Sequence, residues 1–336
     1  MATGLINLGN TCYFNSVLQI LANVDLLIYY LKNNIHSDLN YNVEQYQFIK
    51  ELHHLLIIMN NNDKHRVLNP TKVFSEFNKH LGNSDIYGNF NQEDSEEVLL
   101  HILDLLHNAL KYNISLNYSG VPKNNRDILM VKSLDNWSLY YKNNYSNIID
   151  IFYGQYISST VCNKCNNQNN NFEPCSSINI QITPQCNTLD DCFDLFTNSE
   201  KIEEYKCDKC NEINTSFKKL NIWKSPKTLI IVLKRFNGNI KLQHHIKFPL
   251  RMNLEKYVTG YDKDDSYYVL NSIIEHQGDL NFGHYVSYII KDKIYKMNDN
   301  NISTITNINN IQAYILVYKK INCHKESNIN TSNTAN

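Results

Sequence analysis

Two short units, Cys162-Asn163-Lys164-Cys165 and Cys207-Asp208-Lys209-Cys210, constrain this chain more than any other feature of it. Each C-x-x-C makes a tight turn that sends both sulfurs to one side. Two such turns brought together give a tetrahedral four-thiolate shell. Whatever fold forms must therefore return the second pair to the first across about forty residues. The shell suits one Zn2+ per chain, with Zn–S near ~2.3 Å. It leaves no open position for water, so the metal it implies is structural and not catalytic. Two reduced thiol turns without metal are the alternative. Each pair follows a strand-like run, as the knuckles of a zinc ribbon do. Cys175, Cys186, Cys192 and Cys323 show no such spacing and read as bystanders.

That reading needs reduced thiols. The 336 residues hold nine cysteines, an odd number in a chain too long to need disulfide staples. Met1-Ala2-Thr3-Gly4-Leu5 has neither the basic nor the apolar region of a secretory signal, and no run approaches the ~18 apolar residues of a spanning helix. The expectation is a cytoplasmic or nuclear protein with no membrane partner. Lys and Arg (32) balance Asp and Glu (33), which gives no electrostatic drive toward nucleic acid and weighs against a zinc-ribbon nucleic-acid binder. About one residue in six is Asn. AT-rich codon usage explains such an excess, so a single Asn says little unless a motif surrounds it.

The chain reads as helices first and strands afterwards, which points to α+β. Phe14, Val17, Leu18 and Leu21 fall at the spacing of one helix face, as do Phe48, Leu52, Leu55, Leu56 and Met59, and Leu99, Ile102, Leu103 and Leu106. Residues 110–150 are polar and read as a connector or irregular insertion. Strands are expected at 156–161, 177–182, 228–233, 285–290, 294–297 and 313–318. The run Thr228-Leu229-Ile230-Ile231-Val232-Leu233 is nearly all apolar, as a strand buried on both faces would be. Residues 321–336 form a polar tail, expected to be disordered.

Cys12 opens the first apolar stripe, so its thiol sits at a helix N-terminus, where the macrodipole favours thiolate. A cysteine at a helix start is more often a structural residue. His284 lies at the mouth of a strand, after a turn-rich loop that begins at His276-Gln277-Gly278. Asn298-Asp299 follows on a strand expected to pair with that of His284. A side chain there can accept from the imidazole, fix its tautomer and complete a Cys–His–Asn/Asp arrangement.

These residues carry a family resemblance. Gly4-Leu5-Ile6-Asn7-Leu8-Gly9-Asn10-Thr11-Cys12-Tyr13-Phe14-Asn15-Ser16 resembles the Cys box of the ubiquitin-specific proteases, papain-like thiol isopeptidases. Residues 268–278, with Gly283-His284-Tyr285-Val286-Ser287-Tyr288, resemble their His box. Gln92-Glu93-Asp94-Ser95-Glu96-Glu97-Val98-Leu99 is similar to their glutamine–aspartate helix start. Residues 226–236, 247–249 and 313–318 match further blocks, all in family order. The four cysteines fall where the family has its zinc-binding fingers.

The resemblance implies a papain-like α+β catalytic domain over residues 1–320, with a helical thumb (1–125), zinc fingers (150–222) and an antiparallel palm (223–320). It implies a deubiquitinase in which Cys12 is the nucleophile, His284 the base and later the acid, and Asn298 the orienting residue, with Asp299 as a secondary contributor. Asn7 would supply an oxyanion donor beside the Cys12 backbone N–H. Gln92, Asp94, Gly283 and Tyr285 would hold the ubiquitin tail, Asp94 facing an arginine. The implied partners are ubiquitin and ubiquitinated proteins, and the implied state is monomeric. Glu93, Val98 and Tyr295-Lys296-Met297 depart from the family's usual residues without touching that set. A protease for a ubiquitin-like modifier and a catalytically weak ubiquitin-binding module are the alternatives. The short segment before Cys12 leads one to expect no N-terminal targeting domain.

Overall fold

A computed structural model describes residues 3–61, 67–81, 92–238, 240–279 and 282–321. The polar tail at 322–336, with Cys323, lies outside them. The first part carries helices α1 (Cys12–Leu21), α2 (Asp25–Asn33), α3 (Ile35–Asp38), α4 (Tyr46–Asn60), α5 (Thr71–Lys79), α6 (Ser95–Leu110), α7 (Asn125–Tyr141) and α8 (Asn147–Phe152). Within it, β1 (Gly4–Leu5) and β2 (Val67–Leu68) pair in parallel. Strands then dominate: β3 (Gly154–Cys162), β4 (Gln168–Cys175), β5 (Ile178–Gln181), β6 (Glu200–Lys206), β7 (Ile213–Lys224), β8 (Thr228–Lys234), β9 (Phe236–Asn237), β10 (Ile240–Lys241), β11 (Arg251–Asn253), β12 (Tyr267–Gly278), β13 (Gly283–Ile290), β14 (Ile294–Asn298), β15 (Asn301–Ile305) and β16 (Ala313–Ile321). One further helix, α9 (Leu189–Phe196), interrupts them. The class is α+β, as expected.

The main sheet runs β15-β14-β13-β12-β16-β8-β5, with β11 added on β12, and all its pairings are antiparallel except β5 with β8. Its two faces bury two separate cores. On β8, Ile230 and Val232 join the helical core, while Leu229, Ile231 and Leu233 join the core on the far face. Successive side chains of a strand point to opposite faces, so a strand covered on both sides must be apolar throughout. The helical stripes behave as their spacing requires: α4 buries Phe48, Leu52, Leu55, Leu56 and Met59, and α6 buries Leu99, Ile102, Leu103 and Leu106. Helix α1 is buried along its whole length and packs on β12, β13 and β14. The nucleophile candidate is thereby pinned to the sheet that carries His284.

A second sheet, β4-β3-β7-β6, carries the two cysteine turns at its far end. Its small core is Ile157, Phe172 and Trp223, with Leu129 and Met130 of α7 against it. The segment read as an irregular connector in fact holds α7, a helix of 17 residues. The Asn124 side chain caps it by accepting from the Asp127 N–H (2.9 Å). Its only buried residues are Ser133, Trp137 and Tyr141. An anchor that slight leaves no apolar stripe, and its capping Asn is hidden among many others. Among the described residues no single helix is long and apolar enough to cross a membrane.

Candidate active site

The loop before α1 is organised by one side chain. Asn7 Oδ1 accepts from the backbone N–H groups of Gly9 (2.9 Å) and Thr11 (3.1 Å). Gly9 (φ 107°) and Asn10 (φ 54°) lie in the left-handed region, so the chain can double back and deliver Cys12 at the first turn of α1. The other end of the Asn7 amide donates to Asp299 Oδ2 (2.8 Å). Asp299 starts the turn between β14 and β15, also at positive φ (52°). Its carbonyl accepts from Leu5 N (3.0 Å), which ties β1 to the turn. A Cβ added at Gly4 would stand 2.8 Å from the Asn300 carbonyl oxygen, so only glycine allows that approach.

His284 enters from β13. Its Nε2 faces Asn298 Oδ1 at 2.7 Å on the neighbouring strand and lies 3.8 Å from Asp299 Oδ2. A hydrogen bond with Cys12, then one with Asn298, and the charges of Cys12 and Asp299 raise the imidazole to about 9, against partial burial that would lower it. The imidazolium is therefore the favoured form at neutral pH, and it is the form that stabilises an adjacent thiolate. The structure thus brings Asn7 and Cys12, from the start of the chain, to His284, Asn298 and Asp299 on the β13–β14 hairpin and its following turn.

The four residues expected at the tail are less uniform. Gln92 bridges Gly283 as a strand neighbour would: its Nε2 donates to the Gly283 carbonyl (2.5 Å), and its Oε1 accepts from the Gly283 N–H (3.0 Å). Asp94 is half-buried and caps α6, accepting from Glu96 N (2.7 Å) and from the Tyr314 hydroxyl at 2.7 Å to both oxygens. Burial raises its carboxyl above the ordinary range, with Tyr314 and the helix N–H groups pulling the other way. Tyr285 is buried and packs on His276, ring centroids 4.6 Å apart.

His276 and Asn15 belong to this site and were not singled out in the sequence. His276 is buried between Phe236 and Tyr285. Burial, then Lys241 and His284, lower it to about 4, so it is neutral. Asn15 lies one turn after Cys12, and its Nδ2 donates to Asp299 Oδ1 (2.7 Å). Both stood inside the quoted boxes; helical spacing from Cys12 was the signal for Asn15.

The four cysteines meet at the end of the second sheet, with all four Sγ atoms within 4.8 Å of one another. Cys162 to Cys210 is 3.9 Å and Cys165 to Cys207 is 3.6 Å. A tetrahedral ZnS4 centre has S···S edges of about 3.8 Å. The two turns repeat one backbone pattern: Asn166 N bonds to Cys162 O and Asn211 N to Cys207 O, and both asparagines sit at φ 55°. The donor set and spacing fit a metal ion. Elsewhere, a cavity of about 570 Å3 opens between the two sheets, lined by Asn179, Gln181, Phe196, Lys218, Lys234 and Leu242 among others.

Comparison with known proteins places this geometry. Residues 3–318 match the family model described as ubiquitin carboxyl-terminal hydrolase. Ubiquitin carboxyl-terminal hydrolase Usp2 of Drosophila melanogaster is 30% identical over 335 residues, 94% of this chain and 34% of that protein. Ubiquitin carboxyl-terminal hydrolase 2 of Homo sapiens is 29% identical over 337 residues, 94% of this chain and 54% of that protein. The chain thus spans about a third to about half the length of these relatives. Among solved structures, a chain of the SAGA DUB module Ubp8/Sgf11/Sus1/Sgf73 bound to monoubiquitin aligns with TM-score 0.75 and 25% identity, covering 95% of this chain and 69% of that one. The same module bound to ubiquitin aldehyde aligns with TM-score 0.73, at the same identity and coverage. Matched from residue 3 to residue 318, the chain belongs to the ubiquitin carboxyl-terminal hydrolase family.

Proposed function

We propose that the chain is a thiol-dependent deubiquitinase that cleaves the bond after the C-terminal glycine of ubiquitin. One observation carries this reading: Cys12, His284 and Asn298 converge in one site, with His284 Nε2 2.7 Å from Asn298 Oδ1 and the imidazole also hydrogen-bonded with Cys12. Membership of the family and the likeness to a module solved with ubiquitin aldehyde support it.

In this mechanism the Cys12 thiolate attacks the glycine carbonyl. The tetrahedral oxyanion is held by the Cys12 backbone N–H and by the Asn7 amide hydrogen that is not engaged with Asp299. His284 gives its proton to the departing lysine amine, which leaves Cys12 as a thioester. Water, deprotonated by the now neutral His284, then releases ubiquitin. Asn298 holds the imidazole in register, and Asp299 adds negative charge behind it. An extended tail would take over from Gln92 the strand-like hydrogen bonds of Gly283. Asp94, with Tyr314 at its back, would meet a tail arginine. The globular part of ubiquitin would rest over the cavity between the two sheets. Residues 1–320 would be the catalytic unit, with the thumb at 1–125, the fingers at 150–222 and the palm at 223–320. Cys162, Cys165, Cys207 and Cys210 would hold Zn2+, whose role there is structural.

The test is a ubiquitin probe with a thiol-reactive C-terminus, run beside equivalents built on ubiquitin-like modifiers. Covalent labelling by the ubiquitin probe, lost in Cys12→Ala, is expected. A folded wild-type chain that stays unlabelled overturns the reading, and labelling by another modifier alone moves the substrate to that modifier.

A further inference from the structure

Asn15 is 2% exposed and sits on α1 one turn beyond Cys12. Its Nδ2 donates to Asp299 Oδ1 (2.7 Å) and to the Ile6 carbonyl (3.2 Å). Its Oδ1 is buried with no hydrogen-bond partner among the described residues. An orphan buried acceptor is unfavourable, so packing alone would favour an apolar side chain at this position. What position 15 supplies is the donor end. Its main recipient is a carboxylate with two further duties: Asp299 Oδ2 accepts from Asn7 Nδ2 (2.8 Å) and lies 3.8 Å from His284 Nε2. Two amides, one from α1 and one from the loop before it, therefore clamp the two oxygens of one carboxylate.

We propose that Asn15 is a positioning residue for the oxyanion donor: it fixes the Asp299 carboxylate, which in turn aims the Asn7 amide at the oxyanion. The effect belongs to the transition state, where the oxyanion exists, and not to the ground state. Losing the Asn15 amide should therefore lower kcat and leave KM alone. The titratable groups that face the clamp are His284 from β13 and Cys12 from α1. Neither can replace the missing donor, because Cys12 is the nucleophile and His284 is bonded to Asn298.

Two substitutions test this. Asn15→Ala should lower kcat on a ubiquitin-fluorophore substrate by about 10- to 100-fold with KM within about twofold. Unchanged kcat, or a loss carried by KM, overturns the proposal. Asn15→Asp sets a second carboxyl against Asp299, and the repulsion between two such carboxylates raises the pH at which one of them takes up a proton. Once they share a proton, the introduced group can donate as the amide did. The ratio of variant to wild-type kcat should therefore rise about tenfold or more from pH 8 to pH 5.5; a flat ratio overturns the proposal. The catalytic consequence rests on the deubiquitinase reading, but the clamp itself does not. In labelled protein the side-chain amide resonance of Asn7 should shift in Asn15→Ala, and an unmoved resonance sinks the clamp even if the wild type proves inactive. Absent turnover in a wild type whose Asn7 resonance does respond sinks the deubiquitinase reading and leaves the clamp standing.

Discussion

A Cβ built on Gly283 would lie 1.9 Å from His276 Nε2 and 3.0 Å from the Gln277 carbonyl oxygen. Position 283 is thus closed to every side chain by a buried, neutral imidazole beneath it. Gly283→Ala should displace His284 next door, and misplacing a reacting group by about 1 Å costs on the order of 10²-fold in rate. A loss of that size in kcat/KM is expected, with part of it recovered when His276→Ala is added. Simple additivity of the two losses would refute the steric account. His276 also sets a pH dependence. Its imidazole falls from an ordinary value of 6.5 to about 4 in the fold, through burial first and then Lys241 and His284. A depressed value means that the folded state refuses the proton. The stability this contributes is complete above pH 6.5 and drains away as pH falls toward 4, by up to roughly 3 kcal/mol. Thermal midpoints measured from pH 7 to pH 4 should therefore fall less steeply in His276→Gln than in the wild type; parallel curves would assign the acid loss to other groups. Cys12, His284, Asn298 and Asp299 were candidates in the sequence from a helix start and paired strands, and it was the resemblance of the surrounding boxes to the family that grouped them as one site. Asn15 and His276 were not singled out: each acts by burial and through a partner distant in sequence, and helical spacing from Cys12 was the one signal that pointed to Asn15.

At the scale of elements, legibility followed how far each segment is buried by one continuous face. Helices α4 and α6 declare themselves because each lays a long apolar stripe on the core. Strand β8 declares itself by a different sign, an unbroken apolar run, because helices cover one face of its sheet and a second core covers the other. Helix α7 is held by Trp137 and Tyr141, whose rings lie 4.7 Å apart, and by Leu129 and Met130 under the second sheet. Its neighbours are solvent and a thin sheet, so its sequence had no need to be amphipathic. The β14–β15 hairpin shows the reverse. Its five-residue strands are modest, yet its turn carries Asp299 and receives β1, so a short element determines how three catalytic candidates meet.

For the whole molecule the weak point is the second sheet, and the cysteine cluster is what offsets it. Strands β3, β4, β6 and β7 are 9, 8, 7 and 12 residues long. Their own core is three side chains, Ile157, Phe172 and Trp223. Burying three such groups stabilises by on the order of 5–9 kcal/mol. Three side chains are a small core for four strands to order themselves around. Strand hydrogen bonds and the contact with α7 add to it, and at the far end of the sheet the four sulfurs and the Lys164–Glu212 ion pair help to join the two cysteine turns. A four-thiolate zinc site contributes about 10–16 kcal/mol of apparent binding free energy in isolated fingers, more than the three side chains supply. About one zinc per chain is therefore expected by elemental analysis. Chelation under reducing conditions should strip hydrogen-exchange protection from residues 154–175 and 200–224 while β12 and β16 in the main sheet keep theirs. Cys207→Ser should do the same and lose its metal. Reaction of Cys12 with iodoacetamide should persist in the metal-free protein, since α1 and β13 stand on the other core, while labelling by the ubiquitin probe slows. Metal content unchanged in Cys207→Ser, or protection lost evenly across both sheets, would show that the cluster is not the clamp of this half of the molecule.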